Sequence, residues 1–167
     1  MKRGAEGRSL RRDEIRERAL DWRRDFEVVD PENDPRFRAY WEHYHQRMGR
    51  DGVSPEAAKA AVRRSNTLIA SIMLRRGEAQ AMLCGLVGRY DAHLDQVRNI
   101  IGARPGRDVM AAMNALMLDQ YTLFIADTFV NEEPSAAELA EIARMACAEI
   151  RRFGIPPKVA FVSHSVF

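Results

Sequence analysis

Aromatic residues recur at helical spacing in the first half of the chain. Within Pro35–Met48 they fall three or four positions apart, which predicts a helix with one aromatic face. They are Phe37, Tyr40, Trp41 and Tyr44. Pro35 suits the first turn of that helix, because the first N–H groups of a helix lack partners and proline has no N–H.

Start and stop residues mark the other helices. Ser54-Pro55-Glu56 predicts the start of a helix. This helix is expected to run to about Arg76, with a break at Ser65-Asn66 as an alternative, and Gly77 ends it. Further helices are predicted over Asp13–Leu20, over Tyr90–Ile101, and from Ser135 to the residue before Gly154. A turn is predicted over residues 30–35, where two prolines disfavour a helix.

Short apolar runs between turn residues predict strands. They cover Phe26–Val29, Ala79–Cys84, Val109–Leu118, Tyr121–Val130 and Lys158–Ser163. The third and fourth runs are joined by Asp119-Gln120, which predicts a hairpin. Helices that alternate with apolar strands indicate an α/β fold, with a layered mixed sheet and flanking helices. Cys84 and Cys147 are interpreted as core thiols in this arrangement.

Composition and charge narrow the class of protein. The 167 residues are 46% hydrophobic and 30% charged, with only two cysteines, which is typical of a globular protein without a disulfide scaffold. The net charge is +2, but residues 1–24 hold nine Lys or Arg against five acids, so the rest is slightly acidic. A basic arm on an acidic domain disfavours nucleic-acid binding. No apolar run reaches the ~18 residues of a membrane span, so we expect a cytoplasmic protein.

Polar residues cluster where chain segments change direction. Arg89, Tyr90 and Asp91 stand where a predicted strand leads into a helix, and an anion is favoured at such a helix start. Asp127, Thr128 and Asn131 follow a predicted strand, and Ser163-His164-Ser165 ends another. All three groups also suit helix caps and turn hydrogen bonds.

Catalytic and metal motifs are absent from the pattern. His43 and His45 lie two apart on a helix, so they point in different directions and cannot share a metal. Ser163 and His164 are neighbours on a predicted strand and face opposite sides, so they do not form a nucleophile–base pair. We therefore predict no catalytic residue and no metal ligand.

Five segments in a fixed order carry a family resemblance. They are VVDPENDPRFRAYW, GVSPEAA, IMLRRGEAQAMLCGLVGRYDAHLDQVRNIIG, FIADTFVNEEPSAAELAEIA and FGIPPKVAFVSHS. Together they resemble the phosphate acetyl/butyryl transferase family, and most of all the phosphotransacetylase-like C-terminal region of multidomain malic enzymes. Residues 1–10, which are polar with two glycines and no apolar period, are predicted to be a disordered arm. The resemblance implies that residues 11–34 are a linker or remnant of a first transferase-like domain, and that 35–167 are a truncated second domain.

The resemblance also implies a function. Active transferases carry an arginine in the helix that follows the glycine loop, which is Gly85–Gly88 here. This chain has Asp95 at the position of that arginine, and an acid there should repel phosphate. A regulatory and oligomerisation module of a malic enzyme is therefore expected. It would sense acetyl-CoA or CoA, and Arg89, Tyr90, Asp91, Ser163 and Ser165 are its candidate ligand residues. The alternative is a phosphate acetyltransferase, which moves an acetyl group between acetyl phosphate and CoA.

Cofactors and partners follow from the same resemblance. This chain is expected to hold no cofactor, whereas NADP and a divalent metal would belong to a separate malic-enzyme region that decarboxylates malate. The expected partners are an acyl-CoA and further copies of the chain, with neither nucleic acid nor membrane.

Overall fold

The computed structural model describes residues 21, 25, 27–85 and 87–162 of the chain. It divides into two compact units between Ile101 and Gly102, referred to below as the N-terminal and the C-terminal unit. The predicted arm over residues 1–10 and the predicted helix over 13–20 lie outside the described residues. The predicted domain boundary at residue 35 stays a prediction.

The N-terminal unit is helical. Its helices are α1 (Phe37–Met48), α2 (Pro55–Arg64), α3 (Asn66–Arg75) and α4 (Tyr90–Ile100), with a short 3₁₀ turn at Gly49–Asp51 after α1. The predicted helices in this region are confirmed. One core joins them, made of Tyr40, Val62, Leu68, Ile69, Ile72 and Ile100. This packing of apolar helix faces is the dominant stabilising force in the unit.

Two serines set the boundaries between α1, α2 and α3. The Ser54 hydroxyl accepts a hydrogen bond from Ala57 N at 3.2 Å and caps α2. Ser65 has an extended backbone and accepts from Leu68 N at 3.1 Å, so it caps α3 and separates it from α2. The predicted break at Ser65-Asn66 is confirmed. The extended backbone of Ser65 interrupts the helix, and its hydroxyl accepts a hydrogen bond from an N–H group in the first turn of α3.

The C-terminal unit is a hairpin and a helix. Strands β1 (Met113–Met117) and β2 (Thr122–Ala126) pair antiparallel, with Leu116 opposite Leu123. The predicted hairpin is confirmed, with a four-residue connection, Leu118–Tyr121, across which Leu118 N donates to Tyr121 O at 3.0 Å. Helix α5 (Ala136–Arg152) begins with a capping box, in which Ser135 and Glu138 exchange side-chain and backbone hydrogen bonds.

One face of the hairpin carries exposed apolar side chains. Alternate residues of a strand share a face, and directly paired residues share it across the ladder. The five large apolar side chains of this face, referred to below as the apolar sheet face, are Leu116, Leu118, Tyr121, Leu123 and Ile125, which are between 37% and 62% exposed. Asn114, opposite Ile125, lies on the same face. The opposite face includes Phe124, whose ring lies 5.7 Å from that of Phe153.

Three predicted strands are wrong where the structure describes them. Residues 27–29, 79–84 and 158–162 have no strand hydrogen bonding, and the buried strand expected at Ala79–Cys84 is open, with Leu83 and Cys84 exposed. Phe26 and Ser163 lie outside the described residues. A strand needs a neighbouring backbone, and in the described part of the chain the only ladder is β1–β2. The α/β class itself is confirmed, with a small antiparallel sheet. No helix among the described residues is long and apolar enough to cross a membrane.

Candidate functional site

Three of the five predicted ligand residues lie together at the start of α4. Arg89 occupies the position before the first helical residue, with an extended backbone, and has no side-chain capping bond to the helix. Its Nε donates to Asp91 Oδ1 at 3.0 Å, and its Nη2 donates to Asp91 Oδ2. Tyr90 is 51% exposed beside them. Ser163 and Ser165 lie outside the described residues, so their place relative to this cluster stays a prediction.

The charge of Arg89 is matched within the cluster. The hydrogen bond from Arg89, and then that from Ala92 N, hold the pKa of Asp91 below its usual range, and the same carboxylate raises the pKa of Arg89. Asp91 Oδ1 accepts from Ala92 N at 2.9 Å. The Asp91 carboxylate thus uses donors that an anionic ligand would need at this helix start. A ligand here must compete with Asp91.

A histidine that the sequence pattern does not single out holds the loop before this cluster. His93 Nε2 donates to Val87 O at 2.9 Å, because a carbonyl can only accept. In the neutral ring His93 Nδ1 then accepts from the Thr67 hydroxyl at 2.8 Å. A Cβ at Gly88 would lie 3.0 Å from His93 Nε2, and Gly88 has φ +112°. From the sequence, His93 could be recognised only by its position on the inward face of α4. Its contact with Thr67 could not be predicted, because the two residues are 26 positions apart in the chain.

A buried tyrosine is hydrogen-bonded to the start of the segment between α3 and α4. Tyr40 is 1% exposed, and its hydroxyl donates to Glu78 at 2.8 Å. Burial, and then the bond to Glu78, raises the pKa of Tyr40 to about 12. Glu78 also accepts from Arg76 Nε at 2.5 Å, which lowers the pKa of Glu78. Tyr40, Glu78 and Arg76 are hydrogen-bonded to one another, so we assign these bonds a structural role.

The polar residues after β2 form a turn. Asp127 has φ 53°, and its carboxylate accepts from Ala112 N at 3.3 Å and from Asn131 Nδ2 at 2.7 Å. Asn131 Nδ2 also donates to Met110 O at 3.0 Å. This carboxylate therefore ties together the segments on either side of the hairpin, which is the turn role that its position suggested.

Metal ligation finds no support in the described part of the chain. No group of three or more His, Cys, Asp or Glu side chains there could hold an ion. His45 Nδ1 donates to Val53 O at 2.9 Å instead. Burial, and then the charge of Arg76, lowers the pKa of His43.

Within the C-terminal unit, a groove of about 670 Å³ lies between the hairpin and α5. Its apolar lining includes Met110, Met113, Ile142 and Cys147. Four arginines also line it, namely Arg104, Arg107, Arg144 and Arg151. Sequence periodicity did not indicate this groove, because its arginines come from a loop and from the polar side of α5.

Comparison with known proteins assigns the family. Residues 8–167 match the model described as "Phosphate acetyl/butaryl transferase". The chain belongs to this family. The Asp95 carboxylate, which stands where the resemblance places an arginine of active transferases, is on an exposed residue of α4.

The relatives are of two kinds. An NADP-dependent malic enzyme of Escherichia coli is 53% identical over 86% of this chain, and an NAD-dependent malic enzyme of Rhizobium meliloti is 49% identical over the same share. A phosphate acetyltransferase of Nitratidesulfovibrio vulgaris is 30% identical over 83% of this chain. The chain spans about a fifth of the length of these relatives: 19% of each malic enzyme and 20% of the acetyltransferase.

A solved structure supports the fold. The EutD phosphotransacetylase of Staphylococcus aureus superimposes with a TM-score of 0.68 and 19% sequence identity. The match covers 92% of this chain and 46% of that one. At this level of identity the likeness establishes the fold alone, which is shared with part of that structure.

Proposed function

We propose that this chain is a phosphotransacetylase-like regulatory and assembly module of a malic enzyme, and that it senses acetyl-CoA. Oxidative decarboxylation of malate would then be carried by another region, which holds NADP and a divalent metal. The observation that carries the proposal is the sequence identity of 48–53% to four malic enzymes. The region is 53% identical to an NADP-dependent malic enzyme but 30% identical to a phosphate acetyltransferase of similar coverage.

The local electrostatics support a binding role over transfer. Phosphoryl and acyl-phosphate chemistry needs cations aimed at the reacting oxygens. Here Arg89 is neutralised by Asp91, and the exposed Asp95 adds a further negative charge along α4. An acyl phosphate would meet repulsion from Asp95 where the resemblance places an arginine.

Calorimetry tests the sensing role directly. Acetyl-CoA titrated into the 167-residue chain should release or absorb heat that saturates at one ligand per chain. Acetyl phosphate is the matched comparison, because it carries the acetyl group and phosphate but lacks the CoA portion, and it should give a much weaker signal. The absence of any saturable heat with acetyl-CoA would contradict the proposal.

The regulatory part needs the longer protein. When the chain is joined to its malic-enzyme region, acetyl-CoA should change the rate of malate oxidation, and removal of residues 35–167 should abolish that response while leaving the basal rate measurable. A response that survives the removal would assign the sensing to another region.

The alternative function is phosphate acetyltransferase activity. Family membership and the 30% identity to phosphate acetyltransferases favour it. An assay with acetyl phosphate and CoA, which follows loss of the free thiol, separates the two functions. Turnover by this chain would favour the alternative, whereas binding of acetyl-CoA without turnover would favour the sensing role.

Assembly would use the apolar sheet face defined above. Its five large side chains are exposed, and a contiguous apolar patch of this kind is typical of an interaction surface. We expect copies of the chain to associate there. Leu123→Lys should shift the mass measured by light scattering toward the monomer, whereas Thr122→Lys, one residue away on the opposite face, should not. An unchanged mass in Leu123→Lys would contradict this assembly mode.

A further inference from the structure

One wall of the groove in the C-terminal unit is a segment without regular structure. Residues 102–109, referred to below as the strap, belong to no helix or strand. Four of their side chains line the groove, namely Ala103, Arg104, Arg107 and Val109. Because only Ala103 and Val109 among these are apolar, the strap buries little apolar surface in the groove. Hydrophobic burial therefore contributes little to holding the strap in place.

A tight turn in the strap sets the position of its two arginines. Arg107 N donates to the Arg104 carbonyl at 3.0 Å, so residues 104–107 form a β-turn. Pro105 and Gly106 occupy the central positions of this turn, and Gly106 has φ +76°. Proline followed by a glycine with positive φ is the signature of a type II turn. The sequence Arg-Pro-Gly-Arg therefore determines where the two guanidinium groups leave the strap.

Both of these arginines pair with carboxylates of α5. Arg107 pairs with Glu141, whose side chain is 17% exposed, and Arg104 pairs with Glu149 at 3.5 Å. Glu141 and Glu149 are eight residues apart, which is about 12 Å along a helix. The strap is thus fastened to α5 at two separate points, and at both of them by charge.

Each of the two carboxylates also has an arginine on α5 itself. Arg144 pairs with Glu141 at 3.0 Å, and Arg152 pairs with Glu149 at 2.9 Å. When the strap leaves α5, both carboxylates therefore keep a cationic partner. Removal of the last partner of a partly buried charge is strongly unfavourable, and the arrangement on α5 avoids that cost. The strap can thus exchange between a closed and an open position.

The two ends of the strap are held differently. Gly102 begins it with φ +73°, a conformation that glycine adopts without a steric penalty. After its other end, Met110 O accepts from Asn131 Nδ2 at 3.0 Å, and Ala112 N donates to Asp127 Oδ1 at 3.3 Å. These bonds fix the chain beyond residue 109. A movement of the strap can therefore end there and leave the hairpin undisturbed.

We infer that the strap is an electrostatic latch on the groove, closed when Arg104 and Arg107 pair with α5 and open when these pairs are screened. Salt screens such pairs, because the Debye length falls from ~30 Å at 0.01 M to ~3 Å at 1 M ionic strength. Ionic strength therefore sets the access to the groove and to Cys147, which lines it. The latch does not depend on the proposed function, because it needs no ligand.

The two cysteines of the chain allow a direct test. Cys147 is half-buried and lines the groove, whereas Cys84 is exposed and belongs to the N-terminal unit. In the 167-residue chain, alkylation of each thiol by the uncharged reagent N-ethylmaleimide can be followed by peptide mass spectrometry. From ~0.01 to ~1 M NaCl, the rate at Cys147 should rise about 5- to 25-fold, since each lost ion pair contributes up to about fivefold. The rate at Cys84 should stay nearly constant. A rate at Cys147 that does not depend on salt would overturn the inference.

Removal of the two carboxylates should have the same effect as salt. In low salt, Glu141→Gln/Glu149→Gln should react at Cys147 as fast as the unmodified chain does in high salt, and its rate should no longer depend on salt. Arg152→Gln is the matched control on α5. It removes the second partner of Glu149, so it leaves that carboxylate to Arg104 and should not accelerate the reaction. Circular dichroism checks that the variants fold. A double variant as slow as the unmodified chain, or an equal acceleration by Arg152→Gln, would contradict the latch.

Hydrogen exchange distinguishes an open strap from an unfolded unit. The amides of the ladder between Met113 and Ala126 should exchange at the same rate in low and high salt, because the bonds at Met110 and Ala112 separate the ladder from the strap. Ladder exchange that accelerates in step with the alkylation of Cys147 would mean that the whole unit opens, and it would overturn the inference.

Discussion

The two units differ in how far they bury their apolar side chains. In the N-terminal unit, one buried cluster contains Tyr40, Val62, Leu68, Ile69, Ile72 and Ile100. In the C-terminal unit only Val130, Ile142 and Ile150 are buried hydrophobics among the described residues. Its hairpin instead presents the apolar sheet face to solvent. The comparison shows that helices can close a small core among themselves, whereas a two-stranded sheet leaves one face without cover.

The largest contrast between the units should come from truncation of core and surface side chains. Ile72→Ala should lower the free energy of unfolding by about 2–5 kcal/mol, because Ile72 is fully buried and the change leaves a cavity. Leu123→Ala should cost less than ~1 kcal/mol, since Leu123 is already 47% exposed. Urea unfolding measures both. Equal losses would mean that the sheet face is covered in solution and would break the comparison.

Tyr40→Phe tests a buried polar anchor of the N-terminal unit. Loss of the hydrogen bond to Glu78 should cost about 1.5–3 kcal/mol, as for bonds to charged groups, and Tyr121→Phe on the exposed hairpin should cost little. The folded state raises the pKa of Tyr40 to about 12, above ~10 in the unfolded chain. Its contribution is therefore complete below pH ~10 and is lost as pH rises toward 12. Stability of Tyr40→Phe should lack that alkaline loss; an identical decline in both proteins would exclude this role.

Gly88→Ala tests the histidine clamp before α4. Alanine there meets a positive φ and a contact with His93 Nε2, so we expect a loss of about 1–2 kcal/mol. Gly85→Ala is the matched control, because it has φ +96° but open space around the added Cβ. Thermal unfolding should show a larger loss for Gly88→Ala than for Gly85→Ala. Equal losses would assign the whole effect to backbone conformation.

Ser135→Ala tests the capping box of α5 and should give the smallest effect. Removal of a capping hydroxyl costs about 1 kcal/mol, because Glu138 N loses its acceptor. Ser135→Asp should retain most of the stability, since aspartate also caps helices. Unfolding monitored by circular dichroism measures both variants. A Ser135→Asp protein as unstable as Ser135→Ala would argue against the cap.

Local signals explain what the sequence could predict. Helix periodicity and the capping residues Ser54, Ser65 and Ser135 lie close to the elements they define, so α1 to α5 are predicted to within a few residues. The hairpin is predicted because its two strands are close in sequence, with only four residues, Leu118–Tyr121, between them. Strand formation at Ala79–Cys84 depends on a distant partner that the apolar pattern does not specify, and that prediction is wrong.

The candidate site shows the same limit. Arg89, Tyr90 and Asp91 adjoin in sequence, so their grouping is predicted, but the neutralisation of Arg89 by Asp91 appears only in the structure. The bond between His93 and Thr67 and the arginine-lined groove join residues far apart in the chain. No short-range pattern encodes such contacts.

The short connection of the hairpin determines how early its ladder can form. Hairpins of this kind close in roughly 1–10 μs, whereas ribosomes add only ~5–20 residues per second. The ladder from Met113 to Ala126 can therefore form soon after it leaves the ribosome. The apolar sheet face would then stay exposed until residues synthesised later, or another copy of the chain, cover it. This interval is many thousand times longer than the time in which the hairpin forms. We expect nascent chains stalled in that interval to be bound by chaperones.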